Sequence, residues 1–337
     1  MVSCLASFGF SRLISSGLAA LIQLSGPALQ PGQLSGSALV PLERATHGDT
    51  PVLSFRSGAQ SLRFLVDSGA SSTLVSPALV QRLGLADTPI PPAAFGLAGA
   101  GEGCADLQPR RVVLPSLQAA PVPSGRANSL RLRGAEALVL AVAGLPPGVD
   151  GVLGAPQLRQ LPLWIDPGAD RLALGSAALD LAERARASVA VTSAPTTLPM
   201  RWSQGVPLLR LRLRPAWASA PGPAETTVEA LADTGAEGLF VTEALAAALP
   251  QVEPSRPVQV AGFCGLQPAR WIRVQGPTLL GGLPPAPVQA IVTANPVFEA
   301  LGVGAIVGQE LLRSHRQLWR LDTTPPSLLL WGGGPGS

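Results

Sequence analysis

"FLVDSGASSTLVS" (residues 64–76) and "ALADTGAEGLFVT" (residues 230–242) are near copies of one another within one chain. Each runs from apolar residues into an Asp, a small hydroxyl residue, a Gly and an Ala, then back into apolar residues. Asp followed by Ser or Thr and Gly is ordinary turn chemistry: the carboxylate accepts from nearby amides, and Gly takes backbone angles closed to other residues. Seen once, such a turn reads as structural. Seen twice, between apolar strands, it raises the question of what else repeats.

The repeat extends in both directions. Upstream, "VPLERATHGDTPVLSF" (40–55) resembles "LPMRWSQGVPLLRLRL" (198–213). Downstream, "CADLQPRRVVLP" (104–115) resembles "CGLQPARWIRVQGP" (264–277), and "DGVLGAPQLRQLPLWIDPGADRLALG" (150–175) resembles "GAIVGQELLRSHRQLWRLDTTPPSLLLWG" (304–332). Asp67 and Asp233, Gly154 and Gly308, and Asp166 and Asp322 correspond at offsets of 166, 154 and 156 residues, so both copies keep one order with modest insertions. This divides the chain into residues 1–39, a leader, signal-like segment or added strand; an N-terminal lobe, 40–175; a linker, 176–197; and a C-terminal lobe, 198–332.

Each lobe is expected to be mostly strand. Strands are expected at 51–56 and 61–66 around the turn "SGAQ", a helix over 76–85 capped by Ser76 with Pro77 in its first turn, a Gly-rich hairpin around 96–103, and a short helix near 155–160. Thirty-five Pro and 37 Gly in 337 residues suit many short strands and turns. Hydrophobic residues at 47% and charged residues at 13% supply ample core. The chain has no Lys, so all 24 basic residues are Arg, and the net charge is +3. "LLRLRLRP" (208–215) alternates apolar and Arg with the period of a strand wet on one face. With aromatics at 4% and none interleaved with a basic cluster, no nucleic-acid platform is expected. No apolar run reaches the length of a membrane span. Compartment is left open between cytoplasmic and periplasmic or secreted.

Two copies packed about a pseudo-twofold axis bring equivalent residues face to face. Two carboxyls so placed share a proton over an extended range, because like charges in a dry site repel. Here the motifs become specific. "VDSGAS" and "ADTGAE" resemble the Asp-Thr/Ser-Gly-Ala signature of aspartic peptidases. "VLG" (152–154) and "IVG" (306–308), whose glycines follow their Asp by 87 and 75 residues, resemble that family's second signature. Pepsin-like enzymes carry one flap with a Tyr, and this chain has no Tyr; both halves instead have a Gly-rich segment at the flap position, "GLAGAGEG" (96–103) and "VAGFCG" (260–265). The resemblance is therefore to a retropepsin-like lobe duplicated into a single-chain, pepsin-like pseudo-dimer.

That resemblance implies an all-β fold of two acid-protease barrels with a few short helices, and an endopeptidase that works by general acid–base catalysis on a water held between carboxyls, with no cofactor and no metal. Asp67 and Asp233 are the implied catalytic pair. Ser68 and Thr234 would lock the two loops together, and Gly69 and Gly235 would let the backbone approach the carboxyls. Leu97, Gly99, Gly101, Ala261, Gly262 and Phe263 are candidate flap and substrate-lining residues. The expected partner is a peptide or protein substrate, the expected state a monomer, and the expected pH optimum acidic. The alternative is a peptide-binding or assembly module that kept the fold and lost catalysis.

Other features carry less. No G-x-S-x-G elbow accompanies His47 or His315, which read as surface residues, and without Lys there is no Walker-type phosphate loop. Cys104 and Cys264 read first as two small buried thiols inherited from one ancestor. The sharper alternative is a disulfide where the flaps meet, gating access. Asp166 and Asp322 read as turn residues. Glu237, opposite Ser71 in the other copy, is left open between adding charge to its loop and facing a substrate or an Arg.

Overall fold

Short strands, some alternating apolar and polar residues and others continuous apolar runs, fold as two lobes in the computed structural model. It describes residues 13–15, 20–25, 27–46, 48–101, 104, 107–121, 128–187, 194–213, 226–249, 251–274 and 287–332. The described residues are mostly strand, with a few short helices.

The lobes share one wiring. In the N-terminal lobe, Pro51–Ser57 and Gln60–Val66 form an antiparallel hairpin, turning at Gly58 with φ +58°. Gly151–Leu153 then runs parallel to Gln60–Val66, in register Val152 with Leu65 and Leu153 with Val66. In the C-terminal lobe, Val206–Leu213 pairs antiparallel with Thr226–Ala232, and Ala305–Val307 runs parallel to the latter, Ile306 with Leu231 and Val307 with Ala232. Both apolar-apolar-Gly triplets thus lie beside the strand that delivers their Asp. In "LLRLRLRP", Leu209 and Leu211 are buried and Arg210 is exposed, as the alternation requires.

The short helices also correspond. Pro77–Leu83 starts with the Ser76 hydroxyl accepting from the Leu79 amide at 3.2 Å and stops at Gly84, φ +62°. Glu243–Ala248 starts with Thr242 capping Leu245 at the same distance. A side-chain oxygen at that position satisfies an amide the helix leaves unpaired.

An antiparallel sheet joins the lobes at their base. Its strands run in the order Thr196–Ser203, Ser327–Trp331, Arg316–Arg320, Leu163–Asp166, Arg171–Leu174 and Ala38–Pro41. The seam lies where Leu163 pairs with Trp319 and Ile165 with Gln317, one strand from each lobe. The inter-lobe segment opens with the helix Ser176–Ala187, which lays Ala177, Ala178, Leu181, Ala182 and Ala185 against Trp164 and Trp331 of this sheet. Those two indoles pack 5.1 Å apart between ring centroids.

The N-terminal segment is built into the fold. Leu13–Ser15 runs parallel to part of Arg256–Gly262, Ala20–Leu24 pairs antiparallel with Phe95–Gly99, and Gln33–Ser35 joins the sheet of the N-terminal lobe through Arg131–Arg133. The hairpin expected around 96–103 includes residues 102 and 103, which lie outside the described residues. The described strand Phe95–Gly99 pairs with Ala20–Leu24, and Arg110–Val113 pairs with Asp87–Pro89 and Glu136–Val139. Among the described residues, no helix is long and apolar enough to cross a membrane.

Candidate active site

The two acidic turns meet at the junction of the lobes, and each is locked by the other. The Ser68 amide donates to Thr234 Oγ1 at 3.0 Å, and the Thr234 amide donates to Ser68 Oγ at 3.0 Å. Each hydroxyl then donates to the carbonyl before the opposite Asp: Ser68 Oγ to Ala232 O at 2.8 Å, and Thr234 Oγ1 to Val66 O at 2.7 Å. All are buried, where an unmade hydrogen bond costs most, so this reciprocal set fixes the turns against one another.

From beneath, the triplets brace the same turns. The Asp67 amide donates to Leu153 O at 3.1 Å and the Asp233 amide to Val307 O at 3.0 Å. Ala155 N reaches Ala70 O at 2.9 Å, and Gln309 N reaches Ala236 O at 2.8 Å. Gly154 and Gly308 are needed here, because a Cβ on either would overlap the carbonyls of the turn it supports.

Asp67 and Asp233 are both fully buried. Each accepts from the amide two residues on, Gly69 N to Asp67 Oδ1 at 2.8 Å and Gly235 N to Asp233 Oδ1 at 2.7 Å. The other oxygen, Oδ2, has no hydrogen-bond partner on either residue. The turns cross closely enough that a Cβ on Gly69 would overlap the Asp233 carboxyl, and a Cβ on Gly235 the Asp67 carboxyl. Burial, reinforced by the neighbouring Asp233, holds Asp67 well above the usual carboxylate range. Burial also raises Asp233, to about 6, against the hydrogen bonds that favour its charged form. Both shifts are upward, so each carboxyl keeps its proton to higher pH than an ordinary aspartate does.

The candidate flap residues meet above the turns. Arg256–Gly262 and Gly265–Val274 form a hairpin with Phe263 and Cys264 at its tip. Phe263 is buried in a cluster of the N-terminal lobe that includes Val52, Leu65, Ala70 and Leu74. Leu97 is half-buried against the same cluster. Gly99 lies against Phe263, where a Cβ would come within 3.1 Å of the side chain; a Cβ on Gly262 would overlap Ala100; and Gly101, φ +107°, abuts the Cys264 backbone. Ala261 pairs with Leu266 in the hairpin. The Cys264 amide donates to Ala100 O at 2.6 Å, and the Gly101 amide to Gln267 Oε1 at 3.2 Å.

Cys104 and Cys264 form a disulfide with Cα atoms 5.0 Å apart, which corrects the reading of two free thiols. They are symmetry mates beside an axis, and the meeting of the flaps brings them together across 160 residues of sequence.

Sequence reasoning singled out Glu237 and Ser71 without their partners, and it missed Gln309. The Glu237 carboxylate accepts from Asp49 N at 2.5 Å, Thr50 N at 2.8 Å and Thr50 Oγ1 at 2.5 Å, tying the second turn to the N-terminal lobe, and after the Asp49 hydrogen bond its charge is one of several that raise Arg313. Its counterpart Ser71 instead holds the N-terminal strand: Ile22 N donates to Ser71 Oγ at 2.8 Å. Gln309 donates to Thr234 O at 3.1 Å. The 166-residue offset that relates the aspartates also relates Ser71 to Glu237, and was the available signal. His315 is half-buried rather than a surface residue, and His47 lies outside the described residues. Asp166 accepts from Ala169 N within its turn and Asp322 pairs with Arg320, both away from the dyad. Among the described residues, no cluster of His, Cys, Asp or Glu has the makings of a metal site.

Residues 53–156 match a family model described as "Aspartyl protease". No curated protein matches the chain. Among solved structures, conglutin gamma, a basic 7S globulin from lupine seeds, superposes with a TM-score of 0.51 at 10% identity, covering 89% of this chain and 95% of that one. Basic 7S globulin from soybean gives 0.45 at 11% identity, covering 90% and 96%. In motif and fold the chain resembles the retropepsin-like aspartic peptidases, with two such lobes joined in one chain in the pepsin-like manner.

Proposed function

We propose that the chain is an aspartic endopeptidase that hydrolyses peptide bonds of an extended chain held between its lobes, with Asp67 and Asp233 as the catalytic pair. One observation carries this reading: two buried carboxyls, each fixed through one oxygen, each leave Oδ2 without a hydrogen-bond partner.

Both carboxyls are raised by burial, and the pair shares one proton. The protonated carboxyl donates its hydrogen bond to the scissile carbonyl oxygen and polarises it. The ionised carboxyl takes a proton from a water as that water's oxygen bonds to the carbonyl carbon. The tetrahedral adduct collapses as the amide nitrogen receives the proton that the carboxylate took from the water and the C–N bond breaks, leaving a carboxyl and an amine and returning the pair to one shared proton. No bond forms between enzyme and substrate. Ser68, Thr234, Gly69 and Gly235 position the carboxyls and touch no reacting atom.

The test is cleavage of a mixed peptide library by the full chain from about pH 4 to about pH 9, beside Asp67→Asn and Asp233→Asn, each expected to lose about 10²- to 10⁴-fold in rate. Variants that cut as fast as the parent would overturn the assignment. A second reading, a binding module without catalysis, is favoured by one feature: the strand Ala20–Leu24 lies between the first flap strand and Ser71 of the first acidic turn. Peptide bound but uncut by the parent would support it.

A further inference from the structure

Among the described residues, elements of this chain flank the strand Ala20–Leu24 from the acidic turns, from both lobes and from the flaps. The floor of this groove is the interlocked pair of turns. Its walls are the lobes, which are tied together at the base by the shared sheet. Its roof is the two flaps, and these are joined covalently by Cys104–Cys264 and by the Cys264 amide on Ala100.

What lies inside is a single extended strand. Ala20–Leu24 pairs along one edge with the flap strand, Ile22 opposite Leu97 and Ala20 opposite Gly99. On its other edge, Ile22 N meets Ser71 Oγ. Its side chains alternate between the lobes: Leu21 is buried in the cluster of Val206, Val260, Phe298 and Leu301 of the C-terminal lobe, while Ile22 packs against the Phe263 cluster of the N-terminal lobe. Leu13–Ser15 pairs with the second flap, so one segment engages both flaps in turn. Backbone pairing with alternating pockets is how an extended peptide is recognised.

We infer that the disulfide-joined flaps close this groove into a tunnel one strand deep, which admits linear, unfolded peptide and excludes cyclic peptides and loops of folded proteins. The inference rests on the peptide-groove part of the reading above. An open cleft accepts a loop from the side once its flaps part. Flaps joined by a bond cannot part, so a chain enters end first.

The test measures binding, so that it does not depend on catalysis. The full chain carrying Leu21→Asp and Ile22→Asp, which disfavours its own strand in the groove, is titrated by calorimetry with two probes. One is the linear peptide LISSGLAALIQLS, the sequence of residues 13–25; the other is the same peptide closed head to tail. With the disulfide intact, the linear form is expected to bind at least about tenfold more tightly than the cyclic one. The bond is then opened in two independent ways. One is Cys104→Ser with Cys264→Ser. The other is a small dithiol, which transfers two electrons and two protons, so that the S–S bond becomes two thiols and the reagent leaves as its own disulfide. After either, the two peptides should bind within about threefold of each other. Equal binding of both by the oxidised chain overturns the inference, as does linear peptide that binds only after reduction, which would make the flaps a shut gate. Binding of neither peptide in any state overturns it too. Linear peptide bound by the oxidised chain but never cut leaves the tunnel standing and removes the peptidase reading.

Discussion

Replacing Asp233 by Asn should make the protein more resistant to unfolding at neutral pH while abolishing cleavage. The native carboxyl titrates at about 6 against an ordinary value of 3.8, so between those values the folded state binds more protons than the unfolded state. Stability from this group is therefore fully present below pH 3.8 and is lost as pH rises through about 6. The interval from 3.8 to about 6, at about 1.36 kcal/mol per pH unit, corresponds to about 3 kcal/mol. Asn keeps the shape and an Oδ1 to accept from Gly235 N, now at 2.7 Å, but carries no charge to bury. It also removes the charge that helps raise Asp67, so the relief is at least this large. The assay is urea unfolding of parent and variant at intervals between about pH 4 and about pH 8, read as the difference between the two free energies. Carboxylates paired with Arg, such as Asp87 with Arg110, are common to both proteins and drop out of that difference. The variant should gain about 3 kcal/mol on the parent across the range. Parallel curves would refute the claim that Asp233 is buried at a charge cost.

Other predictions follow from the same geometry. Thr234→Val leaves the buried Ser68 amide and Val66 carbonyl without partners and should cost about 1–3 kcal/mol in urea unfolding, and an unchanged midpoint would contradict the interlock. Gly69→Ala forces a methyl onto the Asp233 carboxyl and should lower kcat/KM by about 100-fold or more in a protein still folded by circular dichroism; activity within about threefold would refute the close crossing. The profile of kcat/KM should fall on the acid side, above the ordinary carboxylate range, as the pair takes up a second proton, and on the alkaline side as it gives up its last one; a maximum near pH 3 would contradict the raised values. Glu237→Ala removes the acceptor for two amides and a hydroxyl of Asp49 and Thr50 and should destabilise by about 1–3 kcal/mol, while unchanged unfolding would show the tie to be idle.

What the sequence made legible was local or repeated. The Asp turns, the triplets beneath them and the Ser76 cap each depend on a few neighbouring residues, and the duplication prints each local rule twice. What it hid was non-local. Residues 13–24 are a short apolar run that reads equally as the centre of a signal peptide; only pairing with a strand more than 70 residues away makes part of it a strand. The disulfide joins residues 160 apart, and a pair of equivalent cysteines does not reveal whether the axis brings their side chains within reach. Glu237 and Ser71 occupy one position in the repeat, yet one ties down a loop of the opposite lobe and the other holds a strand. Symmetry of sequence located that position without naming its partners.

The central claim is that two turns far apart in sequence form one proton-sharing pair. Carbon-13 NMR of aspartate-labelled full chain, titrated beside Asp67→Asn and Asp233→Asn, tests it most directly. The account predicts that the carboxyl carbons of Asp67 and Asp233 both titrate well above 3.8, and that removing Asp233 lowers the value of Asp67. Two carboxyls titrating independently in the ordinary aspartate range would contradict it.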